Sequence, residues 1–201
     1  MRYIQRIPLL ALALSLVAVQ AFAYDGSATY EISHVYSNVS FSIMKFFFEE
    51  DGGFRSYTGE VYYDPAHPQR SHVKMTVQAA SIDTRGEGRD RALRSDDFFD
   101  VEHYPTLAFV STSVTLRSDN LLDVTGDITI HGVTKHITVP VRFLGEKYLQ
   151  GWGDFVGFDT EFTIDRTAFG VNGSRWSGGA AVLSKDVNIH LAIGAIRPGS
   201  Q

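Results

Sequence analysis

The chain of 201 residues contains no cysteine. This absence excludes disulfide bonds, a thiolate zinc site, covalently attached haem and a lipid anchor on a cysteine at a leader's cleavage site. The fold must therefore be stabilised without disulfide cross-links, chiefly by its packed core. A domain of this length buries roughly 70% of the surface of its unfolded chain, so a single core is sufficient.

Positive charge is also in short supply, because 18 Lys and Arg stand against 23 Asp and Glu, a formal net charge of −5. A nucleic-acid-binding face requires clustered basic residues that neutralise phosphates. The composition therefore predicts no nucleic-acid partner. The chain also lacks linkers, internal repeats and low-complexity tracts, which indicates one domain.

Long apolar runs are confined to the N-terminus. Arg2 and Arg6 precede the apolar residues 7–19, and Ala21-Phe22-Ala23 has the small-x-small pattern of a cleavage site. We expect residues 1–23 to be a signal peptide cleaved after Ala23, although an uncleaved anchor is the alternative. The mature domain, residues 24–201, is then periplasmic or secreted. No later run is long enough for a membrane span.

Apolar and polar residues alternate with a period of two through most of residues 24–201, which predicts strands with one wet face. The pattern gives about eight long antiparallel strands and one short helix. Such strands close into a barrel that removes exposed edges. An eight-stranded barrel is filled by its own side chains or holds one ligand, and the alternation alone does not decide between these. Turn residues predict chain reversals at four places: residues 50–53, 64–68, 117–120 and 131–132.

The one helical pattern lies at about residues 87–95, with Asp83 or Thr84 as its predicted N-cap. Four arginines crowd this segment, and a guanidinium suits a phosphate or quinone oxygen at a cavity mouth. We favour the alternative that they pair with neighbouring acids and fix the helix to the barrel. The arginines are Arg85, Arg89, Arg91 and Arg94, and the acids are Glu87, Asp90, Asp96 and Asp97.

Signals for catalysis, metal or cofactor binding are weak. There is no Gly-x-Ser-x-Gly nucleophile elbow and no His-Glu-x-x-His spacing. His131 with His136, and His67 with His72, flank turns and could converge, but a structural role is favoured for each. The carboxylates Glu31, Glu60 and Glu161 are scattered over strands. We expect no catalytic residue, no metal site and no cofactor.

Four blocks of sequence resemble the YceI family. The most specific are the arginine-rich segment followed by Asp97-Phe98-Phe99 and Tyr104-Pro105, and the block from Gly126 to Lys135. Residues 33–41 resemble the family's opening strand, and residues 53–65 its next hairpin. The resemblance covers nearly all of residues 26–196. It implies a secreted, lipocalin-like barrel that binds a polyisoprenoid in an elongated internal cavity.

The resemblance and the strand parity together predict the cavity lining. Small residues at or beside strand faces (Thr58, Ala79, Thr160 and Ala192) could leave room for a ligand. We expect an exported carrier that sequesters a polyisoprenoid or a related amphiphile such as an isoprenoid quinone. The alternatives are an enzyme acting on a lipid in the same cavity, and a filled barrel with a structural or interaction role. An oligomer is possible. The predicted lining residues are Phe41, Ile43, Val77, Phe109, Val124, Ile128, Val141, Phe158, Phe162 and Ile189.

Overall fold

The computed structural model describes residues 26–175 and 182–197. The predicted signal peptide, residues 1–23, lies outside this part of the chain. The described residues form strands, one α-helix and three 3₁₀ turns (Pro68–Arg70, Ala79–Ser81 and Arg166–Phe169). In chain order the elements are β1 (Ala28–Ile32), β2 (Asn38–Lys45), β3 (Phe48–Phe54), β4 (Tyr57–Tyr63), β5 (His72–Gln78), β6 (Ile82–Asp83), α1 (Glu87–Arg94), β7 (Thr106–Ser118), β8 (Leu121–Ile130), β9 (Val133–Leu149), β10 (Gly153–Asp165) and β11 (Leu183–Ile196).

Eight strands close into an antiparallel barrel. Neighbouring strands follow the order β1-β4-β5-β7-β8-β9-β10-β11. The ring closes where β11 pairs with β1, through Ile196 opposite Glu31 and Ala195 opposite Ile32. The predicted fold, an eight-stranded antiparallel barrel with one short helix, is confirmed.

Three further strands extend the wall beside β11. β2 lies along the N-terminal part of β11, with Ile43 opposite Val187, and β3 and β6 pair outward from β2 in turn. The break between β1 and β2 is bridged by Ser37. Its hydroxyl donates to the carbonyl of Gly194 and accepts from the N–H of Gly194, both at 3.0 Å. The interrupted ladder therefore keeps its backbone groups hydrogen-bonded.

Three of the four predicted turns lie between elements, as expected. Residues 64–68 follow β4, and residues 117–120 include the connection from β7 to β8. His131 and Gly132 join β8 to β9 with φ angles of 51° and 73°. This left-handed conformation matches the twist of a two-residue hairpin turn.

The fourth turn prediction, at residues 50–53, is wrong. These residues lie within β3, and the chain reverses earlier, at Phe46 and Phe47. The glycines in β3 serve close packing instead of a turn. A Cβ on Gly52 would lie 2.4 Å from the ring of Phe41, so any side chain there would collide with it.

Helix α1 ends one residue before its predicted end, but its predicted cap is wrong. Gly86 precedes the helix and no side chain caps it. Thr84 is engaged elsewhere, because its N–H and its hydroxyl both donate to Asp90, at 2.8 and 2.5 Å. Among the described residues, no helix has the length and apolar character of a membrane span.

The segment of α1 covers one end of the barrel, which we call the upper end. A cluster of buried side chains fixes this segment to the ends of β8 and β10, and Leu93 and Phe99 pack against it. The lower end is the opposite one, at the hairpin between β9 and β10. The buried members of the upper cluster are Phe98, Ile130, Phe169 and Val171.

Candidate ligand-binding cavity

An apolar cavity of about 180 Å³, which we call the main chamber, occupies the middle of the barrel. Successive side chains of a strand point to opposite faces, so residues of one parity line the chamber. Phe158, Thr160 and Phe162 of β10 show this spacing. The chamber is lined by nine of the ten predicted residues: Phe41, Val77, Phe109, Val124, Ile128, Val141, Phe158, Phe162 and Ile189.

A second cavity of about 130 Å³, the upper chamber, lies between the main chamber and α1. The tenth predicted residue, Ile43, lines the upper chamber and not the main chamber, because it lies two residues beyond Phe41 on β2. Two adjoining cavities therefore lie along the length of the interior. The residues shared by the two linings are Phe41, Phe54, Leu107, Ile130 and Ile189.

The interior is not filled by its own side chains. Protein interiors are normally packed as densely as organic crystals. Of the ten predicted residues, Val77, Val124 and Phe158 are buried, whereas the other seven are only partly buried although they line the chambers. Unfilled apolar space therefore remains between facing strands.

Small residues contribute to this space less than the sequence suggested. Thr160 lines the main chamber, and its hydroxyl is used in donating to the carbonyl of Pro140 at 2.7 Å. Ala79 is buried in a 3₁₀ turn and lines neither chamber. Thr58 is exposed on β4. Of these predicted positions, Thr160 alone presents a small side chain to the main chamber.

An aromatic layer closes the main chamber towards the lower end. The ring of Tyr63 lies 4.7 Å from that of Phe143 and 5.6 Å from that of Phe158. Burial raises the pKa of the Tyr63 phenol, and the nearby charges of Glu146 and Asp64 raise it further. Tyr63 therefore stays neutral at physiological pH. Tyr63 is not among the predicted lining residues, although the alternation along β4 is a usable signal for it.

Two arginines of α1 are held against the barrel near the upper chamber. Arg89 forms an ion pair with Glu50 of β3 and donates to the hydroxyl and the carbonyl of Thr84, each at 2.7 Å. Arg94 donates to two backbone carbonyls, one in the preceding 3₁₀ turn and one in β6, at 2.8 and 2.6 Å. Both guanidinium groups thus fix the helix to the barrel wall.

The predicted acidic partners of these arginines are wrong. Arg85 approaches Asp51 of β3 at 3.8 Å, in the same strand as the partner of Arg89. Asp96 and Asp97 instead contact Arg175, at 2.5 and 3.6 Å. Two acids on β3 replace the local acids because the hairpin of β2 and β3 lies beside the helix segment.

A buried arginine that is not among the predicted site residues also lines the upper chamber. Arg166 is only 6% exposed, and desolvation lowers its pKa. No sequence motif marks it, since its partners are backbone groups from two separate segments. It donates to the carbonyls of Val171, Asn172, Leu183 and Ser184 at 2.7, 2.8, 3.3 and 2.8 Å.

A polar cleft of about 480 Å³ lies outside the wall, where β1 gives way to β2. Within it, Arg55 pairs with Asp83 at 2.7 Å, and the ring of His34 packs 4.7 Å from that of Tyr57. Phe54 lines this cleft and both chambers. One aromatic side chain therefore stands where the polar cleft and the two apolar chambers meet.

The histidines predicted near turns have separate partners. Within residues 26–175 and 182–197, no group of three or more His, Asp or Glu side chains is arranged to hold a metal ion. The four contacts are His131 with Tyr104, His136 with Asp127, His67 with Asp64 and His72 with Tyr62.

A closed antiparallel barrel around unfilled apolar space defines a lipocalin-like barrel, the class in which the sheet surrounds an internal cavity. Comparison with known families makes the assignment specific. The YceI-like domain matches residues 30–195. The chain belongs to the YceI family.

Relatives and solved structures agree with this assignment. A UPF0312 protein of Pseudomonas putida is 34% identical over 183 residues, which cover 90% of this chain and 93% of the relative. The structure of Burkholderia cenocepacia BcnA is similar with a TM-score of 0.75 at 27% identity, over 82% of this chain and 99% of that one. A polyisoprenoid binding domain from Saccharophagus degradans has a TM-score of 0.64 at 17% identity, over 84% and 98%, which shows a shared fold alone.

Proposed function

We propose that this protein is an exported carrier that holds the chain of a polyisoprenoid, or of a related amphiphile such as an isoprenoid quinone, in its main chamber. The observation that carries the proposal is the unfilled apolar space at the centre of the barrel. A structural neighbour with the same fold is described as polyisoprenoid-binding, which supports the same ligand class. The proposed contacts of that chain are the nine predicted residues that line the main chamber, and Ile43 is the predicted contact in the upper chamber.

Burial of a hydrocarbon chain supplies enough free energy for such a carrier. Each methylene group removed from water contributes about 0.8 kcal/mol. Several isoprene units therefore offset the roughly 4–15 kcal/mol that association costs in lost freedom and desolvation. The lining of the main chamber is mostly apolar, and the hydroxyl of Thr160 already donates to the carbonyl of Pro140. We therefore expect recognition to depend on the length and branching of the chain and not on directional polar contacts.

The proposed location rests on the predicted signal peptide, residues 1–23. A cleaved signal peptide places the mature barrel in the periplasm or outside the cell. Lipids with long isoprenoid chains do not cross water unaided, so a protein that shields the chain would allow movement between lipid surfaces. We propose binding without turnover as the role of the cavity.

Native mass spectrometry of the protein purified from its own host, followed by lipid extraction, tests this proposal. The expected result is one isoprenoid lipid per barrel, released unchanged. A wild-type barrel with no extractable lipid would instead favour a structural or interaction role. Conversion of an added isoprenoid into a product would favour an enzyme that uses the same cavity.

A further inference from the structure

Three consecutive phenylalanines are exposed at the tip of the hairpin between β2 and β3. Phe46, Phe47 and Phe48, which we call the aromatic tip, expose 62%, 89% and 72% of their surface. Scattered exposed apolar residues are normal on a protein surface, whereas a contiguous group marks a contact site. The three side chains of the aromatic tip do not pack in the core, so their apolar character requires another explanation.

The backbone of the aromatic tip is also strained. Phe46 has a φ of 56°, the left-handed conformation that bulky side chains avoid. Two-residue hairpin turns normally place Asn, Asp or Gly at such a position. An exposed aromatic side chain in a strained turn stabilises neither the turn nor the barrel. Its presence therefore indicates a functional role and not a structural one.

The aromatic tip borders the upper chamber. Ile43 and Lys45, which precede the tip on β2, line this chamber. Glu50 and Arg89 line it too, and their side chains remain 32% and 38% exposed. The chamber therefore approaches the surface between α1 and the hairpin that carries the tip.

We propose that the aromatic tip inserts into a lipid surface, and that the protein takes up or releases its ligand beside the tip. Aromatic side chains partition into the boundary between head groups and acyl chains. Lys45 and Glu49 flank the tip with opposite charges, so attraction to anionic lipid is not required. The partner that fits is a zwitterionic lipid surface.

A second copy of the chain fits the tip less well. A stable protein interface buries about 800 Å² on each partner. The three phenylalanines together expose on the order of 450 Å², given the typical area of an aromatic side chain. Insertion into lipid needs no such minimum area, because each apolar side chain partitions on its own.

Flotation of the mature protein with phosphatidylcholine vesicles tests the inference. The wild type should float with the vesicles, and the double variant Phe47→Ser, Phe48→Ser should associate at least about tenfold less. Tyr148→Ser is the matched control, because Tyr148 is an aromatic residue with 62% exposure at the lower end. That variant should float as the wild type does. Failure of the wild type to float, or equal flotation of the double variant, would overturn the inference.

A fluorescence measurement separates insertion from self-association. In Phe47→Trp, brominated phosphatidylcholine should quench the added tryptophan, and in Tyr148→Trp it should not. Dimerisation of the wild type that the double variant loses, without quenching of the tip tryptophan, would contradict the lipid assignment.

The delivery of ligand rests on the proposed function, whereas vesicle association does not. The double variant should load a polyprenol from vesicles at least about tenfold more slowly. It should still bind a polyprenol added from ethanol with wild-type affinity, which assigns the tip to transfer and not to binding. If the wild type bound no polyprenol from either source, the proposed function would fail while flotation would still decide the role of the tip.

Discussion

The main chamber and the upper chamber adjoin each other, yet different contacts hold their walls in place. The main chamber is enclosed by mostly apolar strand residues, and the hydroxyl of Thr160 donates to the backbone carbonyl of Pro140 in the same wall. The upper chamber is lined in part by Arg89 and Arg166, and each of these arginines has at least one partner in a distant segment of the chain. Regular sheet geometry thus builds the space for a ligand, and long-range charged contacts close the end above it.

The two chambers therefore differ in role: the main chamber provides space for a ligand, and the contacts around the upper chamber stabilise the fold. An apolar wall around unfilled space leaves room for a ligand but makes fewer packing contacts than a filled core does. The buried guanidinium of Arg166 does the opposite, because it donates to four carbonyls. Substitutions at the upper end should therefore affect unfolding most, whereas substitutions in the main chamber should affect binding most.

The largest loss of stability is expected for Arg166→Ala. Four carbonyls would lose a charged donor in a buried site, which should lower the free energy of unfolding by at least about 3 kcal/mol. Urea unfolding measures the change. Arg166→Lys keeps the charge but cannot span the same carbonyls, so its loss should be intermediate. A loss below about 1 kcal/mol for the alanine variant would show that this arginine does not hold the upper end together.

A smaller loss is expected for Arg89→Ala and for Arg94→Ala, about 1–3 kcal/mol each, because each leaves hydrogen-bond partners behind. Arg91→Ala is the control, because Arg91 is exposed on α1, and its effect should stay within about 0.5 kcal/mol. Melting temperatures report these changes.

The same arginine variants separate a structural role from recognition of a head group. Affinity for an uncharged isoprenoid alcohol should remain nearly unchanged in Arg89→Ala and Arg94→Ala. Unaltered stability together with selective loss of a diphosphate ligand would instead assign these arginines to the head group.

A gain of about 1 kcal/mol is expected for Phe46→Gly, because glycine adopts the left-handed conformation without strain. Phe47→Gly is the matched control, since Phe47 does not have a positive φ and glycine there brings no relief. Chemical denaturation of both variants makes the comparison. Equal effects at the two positions would remove the argument that the aromatic tip is strained.

The smallest effect concerns acid stability of the wall behind the main chamber. Hydrogen bonds from His190 and Arg142, at 2.8 and 2.9 Å, hold the pKa of Asp159 below its usual value. Ionised Asp159 therefore stabilises the folded barrel above about pH 4, and this contribution is lost as the pH falls through the folded-state pKa. His190→Ala should raise the midpoint pH of acid unfolding slightly. Asn188→Ala on the same strand should not, and equal midpoints for the two variants would refute the assignment.

The residues that face the main chamber could be predicted from sequence because strand alternation is local, whereas the presence of a cavity was implied by the family resemblance alone. Alternation along β10 places Phe158 and Phe162 on one face regardless of the rest of the chain. Strand parity does not give the depth of a residue in the barrel, which is why Ile43 was expected in the same cavity as Phe41.

The upper end could not be predicted in this way. The partner of Arg89 lies on β3, 39 residues earlier in the chain, and no spacing rule connects them. The turn at Phe46 and Phe47 lacks the residues that normally mark a turn, so the sequence predicts the turn at the nearby glycines of residues 50–53 instead. Contacts over long sequence distances and a strained turn leave no regular pattern in the sequence.

The most direct test of the central claim is the affinity of Thr160→Trp for an isoprenoid alcohol, measured beside Thr58→Trp. Thr160 lines the main chamber, whereas Thr58 is exposed on β4, so the same change fills the cavity in one variant only. Over-packing costs about 1–3 kcal/mol, and the melting temperature must confirm that both variants are folded. The account predicts binding at least about tenfold weaker for Thr160→Trp and unchanged for Thr58→Trp. A folded Thr160→Trp variant with wild-type affinity would contradict the claim that the main chamber holds the ligand.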